Sequence, residues 1–141
     1  MAIGNFELDL RRFGKLTADR ASTVLRKTAL DLLGSVVAGI PKGVGTPVDT
    51  GRARGGWQVE LNAFPSGTDT PLDKGGSATI DRGRETIAQA ALTDAIYIGN
   101  NVEYIMPLEF GHSQQAPAGM LRVALRAFQG IIEVNAREAA D

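Results

Sequence analysis

The sequence predicts an α+β fold, in which a small, largely antiparallel sheet is packed by an N-terminal and a C-terminal amphipathic helix. Two segments predict the helices, because apolar residues recur with the helical period over 21–40 and again over 120–132. Two short runs predict the strands, since WQVEL at 57–61 and AIYIG at 95–99 have the two-residue period of a half-buried strand. Helices at both ends of a chain around short strands are typical of the α+β class.

The composition is that of one ordinary globular domain. The chain has 141 residues, of which 43% are hydrophobic and 22% charged, so we expect a single domain over 1–141. Its formal net charge of -1 argues against a protein that mainly neutralises phosphates. It contains no cysteine, which excludes disulfides and thiolate metal sites. We expect no targeting segment and no membrane association, since no apolar run approaches the roughly 18 residues that span a bilayer.

The N-terminal helix is predicted over 9–40. Asp9 or Thr17 could cap its first turn. Gly39 and Pro41 mark its end, because glycine tolerates the left-handed cap and proline cannot continue the helix. The glycine-rich segment 41–56 then predicts a loop that leads into the first strand.

The region between the two strands is predicted as an extended loop or arm over 62–83, followed by a short helix over 85–92. Unstructured stretches of this length inside a domain are usually functional or disordered. The C-terminal helix is predicted over 117–138, with Pro117 near its start. In the turn before it, we expect Tyr104 and Leu108 to pack inward and Gly111 to permit the bend.

The chain's one histidine, His112, follows Glu109 and precedes Ser113, which supplies the residue types of a serine-hydrolase triad. Adjacent side chains usually diverge, however, and the sequence has no G-x-S-x-G elbow. We therefore predict no catalytic residues, and a small hydrolase or nuclease centred on His112 is kept as an alternative. Zinc needs about three or four protein ligands, which one histidine without cysteine does not supply. An oxygen-only calcium site stays open, but Asp69 and Asp73 do not have the EF-hand spacing, and we predict no metal site.

Phosphate-binding motifs are incomplete. The GVG at 43–45 lacks the third glycine of the dinucleotide fingerprint, and no G-x-x-x-x-G-K-[ST] occurs. We predict no cofactor. A free nucleic-acid-binding module is kept as a second alternative.

Four arginines in two pairs are candidates for contacts with another subunit. Arg52 and Arg54 follow Asp49 in the glycine-rich loop, where Asp49 can simply bond the backbone of a turn. The guanidinium groups could instead grip carboxylates or phosphates on a neighbour, because their planar fork pairs at two points. Arg122 and Arg126 lie one turn apart on the C-terminal helix, either as a solvated face or as partners of an inter-subunit salt bridge.

A longer pattern of motifs extends from Thr46 to Phe128. Its members, in order, are PVDTGR at 47–52, Trp57, the Asn100–Asn101 pair, Tyr104, LEFG at 108–111, Ser113, QAP at 115–117, Gly119–Met120 and Arg122. This order resembles the family of phage lambda minor tail protein Z and related neck or tail-completion proteins of long-tailed bacteriophages. The loop at 62–83 departs from that pattern.

The resemblance implies a non-enzymatic virion protein at the head-tail junction, assembled in the cytoplasm of the bacterial host. It implies a homo-oligomeric ring that completes or terminates the tail, for which a hexamer is the copy number to test. The implied partners are the tail tube protein and the head-tail connector or neck proteins, with DNA passing through the ring without specific binding. The expected interface residues are Asp49, Arg52, Arg54, Glu109, His112, Gln115, Arg122 and Arg126.

Overall fold

A computed structural model describes residues 18–140, and it has the predicted mixture of helices and a small sheet. The helices are α1 (Ala18–Ala38), α2 (Arg52–Gly55), α3 (Ser77–Ile87), α4 (Ile105–Glu109) and α5 (Leu121–Ala140), and the strands are β1 (Trp57–Leu61) and β2 (Ile96–Asn100). The α+β class is confirmed. Of these helices, none combines the length and the apolar character that crossing a membrane requires.

Helix α1 ends where its glycine was expected to end it. Gly39 has a φ of +75°, and its N–H donates to the Ser35 carbonyl at 3.0 Å. The predicted bound at residue 40 is therefore two residues too late. The predicted start at 9–17 lies outside the described residues.

The two strands form an antiparallel pair with one face toward the core. Val59 lies opposite Ile98, and both pack against the buried cluster. Glu60 lies opposite Tyr97 on the other face, where both side chains are exposed. The predicted alternation is confirmed, and the second strand is shifted by one residue at each end.

The prediction of a loop over 62–83 is wrong in its last part, because α3 begins at Ser77. The Asp73 carboxylate explains this start. It accepts hydrogen bonds from the backbone N–H of Gly76 at 2.9 Å and from both the N–H and the hydroxyl of Thr79, at 2.8 and 2.7 Å. A carboxylate at this position satisfies free N–H groups and opposes the positive end of the helix. The short helix predicted over 85–92 is the end of α3, which stops at Ile87.

The remaining irregular segment, 62–76, is fastened to the sheet. The Asn101 side-chain amide donates to the carbonyls of Pro65 and Gly67, at 2.9 and 3.0 Å. Gln58 of β1 donates to the same Gly67 carbonyl at 2.7 Å. This part of the predicted arm therefore lies against its own chain.

The core lies between α1, α5, α3 and the inner face of the sheet. The buried residues of its central cluster are Ala29, Leu33, Val36, Val37, Trp57, Ile87, Ala116, Met120 and Ala124. One polar group inside the α1–α5 contact is satisfied: the Asn135 amide donates to Thr28 Oγ1 at 3.2 Å and to Asp31 at 3.0 Å. These bonds fix the register of the two long helices.

Candidate functional site

The Glu109 carboxylate lies at the N-terminus of α5 and is the central group of the predicted site. Its Oε2 accepts hydrogen bonds from the N–H groups of Met120 and Leu121, at 2.8 and 2.9 Å, and its Oε1 accepts from the N–H of Arg122 at 2.9 Å. Glu109 is only 6% exposed. A helix leaves its first N–H groups without partners, and a negative charge there also opposes the helix dipole. Glu109 is therefore a cap supplied from the preceding short helix.

This cap explains why α5 starts at Leu121 and not at residue 117 as predicted. The segment 117–120 forms a turn, and Gly119 in it has a φ of +88°. A Cβ at Gly119 would lie 2.5 Å from the Glu109 carbonyl oxygen. Gly111 likewise has a φ of +87°, which confirms that it permits the bend.

Gln115 joins two motif segments that are distant in sequence. Its Oε1 accepts a hydrogen bond from the Val48 N–H at 2.9 Å, and its Nε2 donates to the Val48 carbonyl at 3.1 Å. The side chain thus pairs with both backbone groups of one residue, as a neighbouring strand would. The loop that carries Asp49 is attached in this way to the turn before α5.

The same loop is anchored in the core through Thr46. The Trp57 indole N–H donates to the Thr46 hydroxyl at 2.7 Å, and this hydroxyl donates to the Val36 carbonyl at 2.6 Å. Thr46 is fully buried and Trp57 is 6% exposed. The tryptophan of the motif is therefore a structural anchor for the loop.

Arg54 uses its guanidinium group within its own chain. Nε and one terminal nitrogen donate to the Thr46 carbonyl at 3.1 and 2.8 Å, and the other terminal nitrogen donates to the Lys74 carbonyl at 2.9 Å. Burial lowers the pKa of Arg54, while the charge of Asp73 opposes that shift. The structure thus gives Arg54 an internal role, and its expected contact with a neighbour stays a prediction.

Three large apolar side chains of the segment 104–110 are exposed. Tyr104 is 39% exposed, Met106 57% and Phe110 59%, and we call these three residues the apolar patch. The expectation that Tyr104 packs inward is wrong, whereas Leu108 does pack against the core. Tyr104 precedes α4 and Phe110 follows it. Within this single turn Ile105 and Leu108 pack against the core, whereas Met106 faces outward.

Two arginines lie against the apolar patch. The Arg52 guanidinium carbon is 5.9 Å from the centre of the Tyr104 ring, and that of Arg122 is 5.1 Å from the Phe110 ring. Arg52 also lies 3.9 Å from the Glu103 carboxylate. Arg122 pairs with Glu109 at 3.2 Å, through Nε, and donates to the Glu109 carbonyl. Cations over aromatic faces are favourable and fix the orientation of both groups.

No hydrogen bond joins this cluster to the side chains of the remaining predicted interface residues, which are Asp49, His112 and Arg126. Asp49 and Arg126 are exposed. His112 is also exposed, and its backbone N–H donates to the Pro107 carbonyl at 3.1 Å. Their contact role stays a prediction.

The geometry does not assemble a triad around His112. The Glu109 carboxylate is bonded to the start of α5, so it does not orient the imidazole. The Ser113 hydroxyl accepts a hydrogen bond from the Gln115 N–H at 3.2 Å. Among residues 18–140, no group of three or more histidine, cysteine, aspartate or glutamate side chains could hold a metal ion.

Sequence reasoning named Glu109, Gln115 and the arginines but missed the exposure of Met106 and Phe110. A local signal for these two was present, because they stand four residues apart and so share one side of a helical turn. The neighbouring sequence did not indicate what Glu109 binds, because the N–H groups that donate to it lie 11 to 13 residues further along the chain.

Comparison with known proteins gives no further assignment: no family model, no curated protein and no solved structure matches this chain.

Proposed function

We propose that this chain is a structural subunit of the head-tail junction of a tailed bacteriophage. In this role it forms a ring that completes or terminates the tail and joins it to the head connector. The observation that carries the proposal is that part of the motif is bonded inside the domain while Tyr104 and Phe110 stay exposed. Met106 lies between these two in the sequence, and Arg52 and Arg122 lie against their rings.

The internal set makes the surface stiff. Glu109 fixes the turn at 104–112 to the start of α5, and Gln115 fixes the loop at 46–50 to the segment between that turn and α5. Thr46 and Trp57 then attach that loop to α1. Ring subunits must present the same contacts in every copy, and a rigid surface reduces the entropy lost on assembly.

The exposed set has the composition of a protein interface. Tyrosine, phenylalanine, methionine and arginine are the residues most enriched at such interfaces. Tyr104, Met106 and Phe110 lie on one short stretch of chain and are 39 to 59% exposed. A cluster of large apolar side chains that the fold leaves uncovered favours contact with another protein.

The proposed partners follow from the same role. Copies of this chain contact one another in the ring, and the ring contacts the tail tube protein on one side and connector or neck proteins on the other. A formal net charge of -1 favours a ring through which DNA passes without being held. The proposed location is the virion, after assembly in the cytoplasm of the bacterial host.

Deletion of the gene in the phage that encodes this chain tests the proposal. Electron microscopy of lysates should show filled heads and complete tails that are not joined, and the wild-type gene supplied in trans should restore joined particles. A Phe110→Asp variant should fold but restore few particles, because it places a charge in the apolar patch. Leu92→Asp, at an exposed apolar position outside the patch, is the matched control. Normal joined particles in the deletion would contradict the proposal.

A further inference from the structure

We propose that a depression beside Gly130 on α5 is a socket for Phe110 and Met106 of a second copy of this chain. The inference rests on the proposed function, because this contact would join neighbouring copies in the proposed ring. The socket, its glycine, its charges and its position relative to the apolar patch each support this assignment.

The socket lies between α1, the segment after it and α5. Its volume is about 200 Å³, and its lining residues are Lys27, Asp31, Pro41, Lys42, Gly130, Ile131, Val134 and Asn135. Small-molecule sites usually enclose roughly 300–1,000 Å³, so this space suits one or two protein side chains better than a ligand. Val134 on its wall is 47% exposed, which leaves apolar surface for a partner to cover.

Nothing in the described part of the chain requires a glycine at position 130. It lies in the middle of α5, where glycine is among the least favourable residues for a helix. Apart from its two chain neighbours and the backbone of its own helix, a Cβ built on Gly130 meets no described atom within 4 Å, so neither packing nor a close approach of another segment excludes a side chain there. The missing side chain instead keeps the socket open. A glycine that weakens its own helix and opens an apolar space favours a role in receiving a partner.

Phe110 and Met106 are the best-suited occupants among the exposed apolar side chains. They lie one helical turn apart, the Phe110 N–H donating to the Met106 carbonyl at 3.0 Å, so they form a single projection. Phe64 is 58% exposed, but its ring already covers Gly99, where an added Cβ would lie 2.6 Å from it. Leu72 is 65% exposed but is a lone side chain in the 62–76 segment.

The charges beside the two surfaces are complementary. Glu103 immediately precedes the apolar patch. Its side chain is 87% exposed and lies 3.9 Å from Arg52 of its own chain, a long and solvated pair that leaves the carboxylate accessible to a second cation. Lys42 on the socket is exposed and makes no ion pair with the described residues. Lys27 is already paired with Asp31 at 3.5 Å and Glu138 at 3.7 Å. Lys42 is therefore the cation that Glu103 of a second copy would meet.

The apolar patch and the socket lie at different places on the domain, which predicts a head-to-tail association of copies. The apolar patch is tied to the start of α5 through Glu109, whereas the socket includes residues 130–135. Ten residues of helix separate Leu121 from Ile131, which is about 15 Å of rise. Two different surfaces that bind each other make a head-to-tail contact, and such contacts close into rings or extend into filaments.

Cysteine cross-linking tests the contact directly, because the full chain contains no cysteine. Separately purified Glu103→Cys and Lys42→Cys chains, which both keep Phe110 and Met106, are mixed and mildly oxidised, and disulfide-linked dimers of the two are quantified by mass spectrometry. We expect at least about ten times more mixed dimer than from Glu103→Cys with Leu92→Cys, because a specific contact raises the local thiol concentration. A yield no higher than this control would overturn the proposal.

Other occupants of the socket give distinct results. Dimers formed by Glu103→Cys alone, in the same yield as the mixture, would show a symmetric contact between two apolar patches and overturn the assignment. A disulfide within one chain carrying both Phe13→Cys and Val134→Cys would assign the socket to the N-terminal segment, with the same consequence.

Filling the socket provides the second test. Gly130→Leu should fold with unchanged or higher thermal stability, because its side chain enters open space, yet raise the dissociation constant between copies by roughly 30-fold or more, the effect of losing an interface hot spot. Glu133→Leu, which adds the same side chain elsewhere on α5, should leave that constant near the wild-type value. Association of Gly130→Leu equal to that of the wild type would overturn the proposal.

Different results would reject the socket proposal and the proposed function. Unjoined heads and tails in the deletion, together with a negative cross-linking result, would leave the phage role standing and reject the socket. Joined particles in the deletion, together with a positive cross-linking result, would keep the contact between copies and reject the phage role.

Discussion

Oε1 of Glu109 accepts two hydrogen bonds from Arg122, one from its backbone N–H at 2.9 Å and one from its Nε at 3.2 Å. The acid and the arginine thus form one internal unit that holds α4 against the start of α5. Glu109 is the buried partner, whereas the Arg122 side chain is 37% exposed. Both residues were expected at an interface between subunits, and the structure uses each of them first to shape the surface.

Glu109→Ala should therefore destabilise the domain by about 3 kcal/mol, since three N–H groups at a helix start and one guanidinium lose their acceptor. Urea unfolding followed by circular dichroism measures the effect. Glu103→Ala is the control, because this side chain is 87% exposed, and it should change stability by less than about 0.5 kcal/mol. Equal effects of the two substitutions would reject the capping role.

Gln115→Ala should release the loop at 46–50 without unfolding the domain. It removes both hydrogen bonds to Val48, at an expected cost of about 1 kcal/mol because this site is partly solvated. Hydrogen exchange of the Val48 amide should become faster, while amides in the middle of α5 keep their protection. Gln114→Ala alters a neighbouring exposed glutamine and should leave the Val48 amide unchanged.

Local patterns predicted most of the fold because its long elements bury one face each. The alternation of WQVEL placed β1 correctly, and Gly39 ended α1 within two residues. The glycines and prolines of 62–83 are typical of a loop, and this caused the error there. Helix α3 nevertheless starts within this segment, because the Asp73 carboxylate accepts hydrogen bonds from its first turn. The two single-turn helices were missed since four or five residues are too short to show a helical period.

Thr46→Val should be the most damaging of the conservative substitutions in the motif loop. It keeps the shape of the side chain but leaves both the Trp57 indole N–H and the Val36 carbonyl without their buried partner, at a cost of about 3 kcal/mol. Trp57 is the chain's one tryptophan, so its fluorescence spectrum reports the change directly. Thr68→Val, at an exposed position of the 62–76 segment, should alter neither the spectrum nor the stability.

Asp73 should make the stability depend on pH in the acid range. Burial would raise the pKa of its carboxyl, but hydrogen bonds from Thr79 and Gly76 and the charge of Arg82 lower it overall. A carboxyl with a lowered folded-state pKa contributes fully above its unfolded pKa of about 3.9 and loses that contribution as the pH falls through the folded value.

The stability difference between wild type and Asp73→Asn should therefore be constant above about pH 5 and shrink at lower pH. Urea unfolding across this range measures it, with Asp69→Asn at an exposed site as control. A difference that stays constant to the lowest pH at which the protein folds would contradict the role of Asp73.

His112→Ala separates the structural role from the hydrolase alternative. The imidazole is exposed and its expected orienting acid is occupied elsewhere, so we expect the variant to restore joined particles in the deletion phage and to be as stable as the wild type within about 0.5 kcal/mol. Cleavage of DNA or of an ester by the wild type that disappears in His112→Ala would support the hydrolase instead.

The candidate site was harder to predict than the fold because its residues act over long sequence separations. A pattern can name Glu109 and Arg122 as charged, but the turn at 117–120 decides that they meet. Arg52 and Arg54 look equivalent in the sequence, yet Arg54 points its donors at Thr46 and Lys74 while Arg52 lies near the Tyr104 ring. Which arginine is available to a partner follows from the fold and not from the motif.

Cryo-electron microscopy of the intact phage particle at the head-tail junction tests the central claim most directly. The proposed role predicts a ring of density between connector and tail into which copies of this domain fit. The socket proposal adds that Phe110 of each copy lies against Gly130 of the next. A fully resolved junction in which every ring is built from other proteins would contradict it.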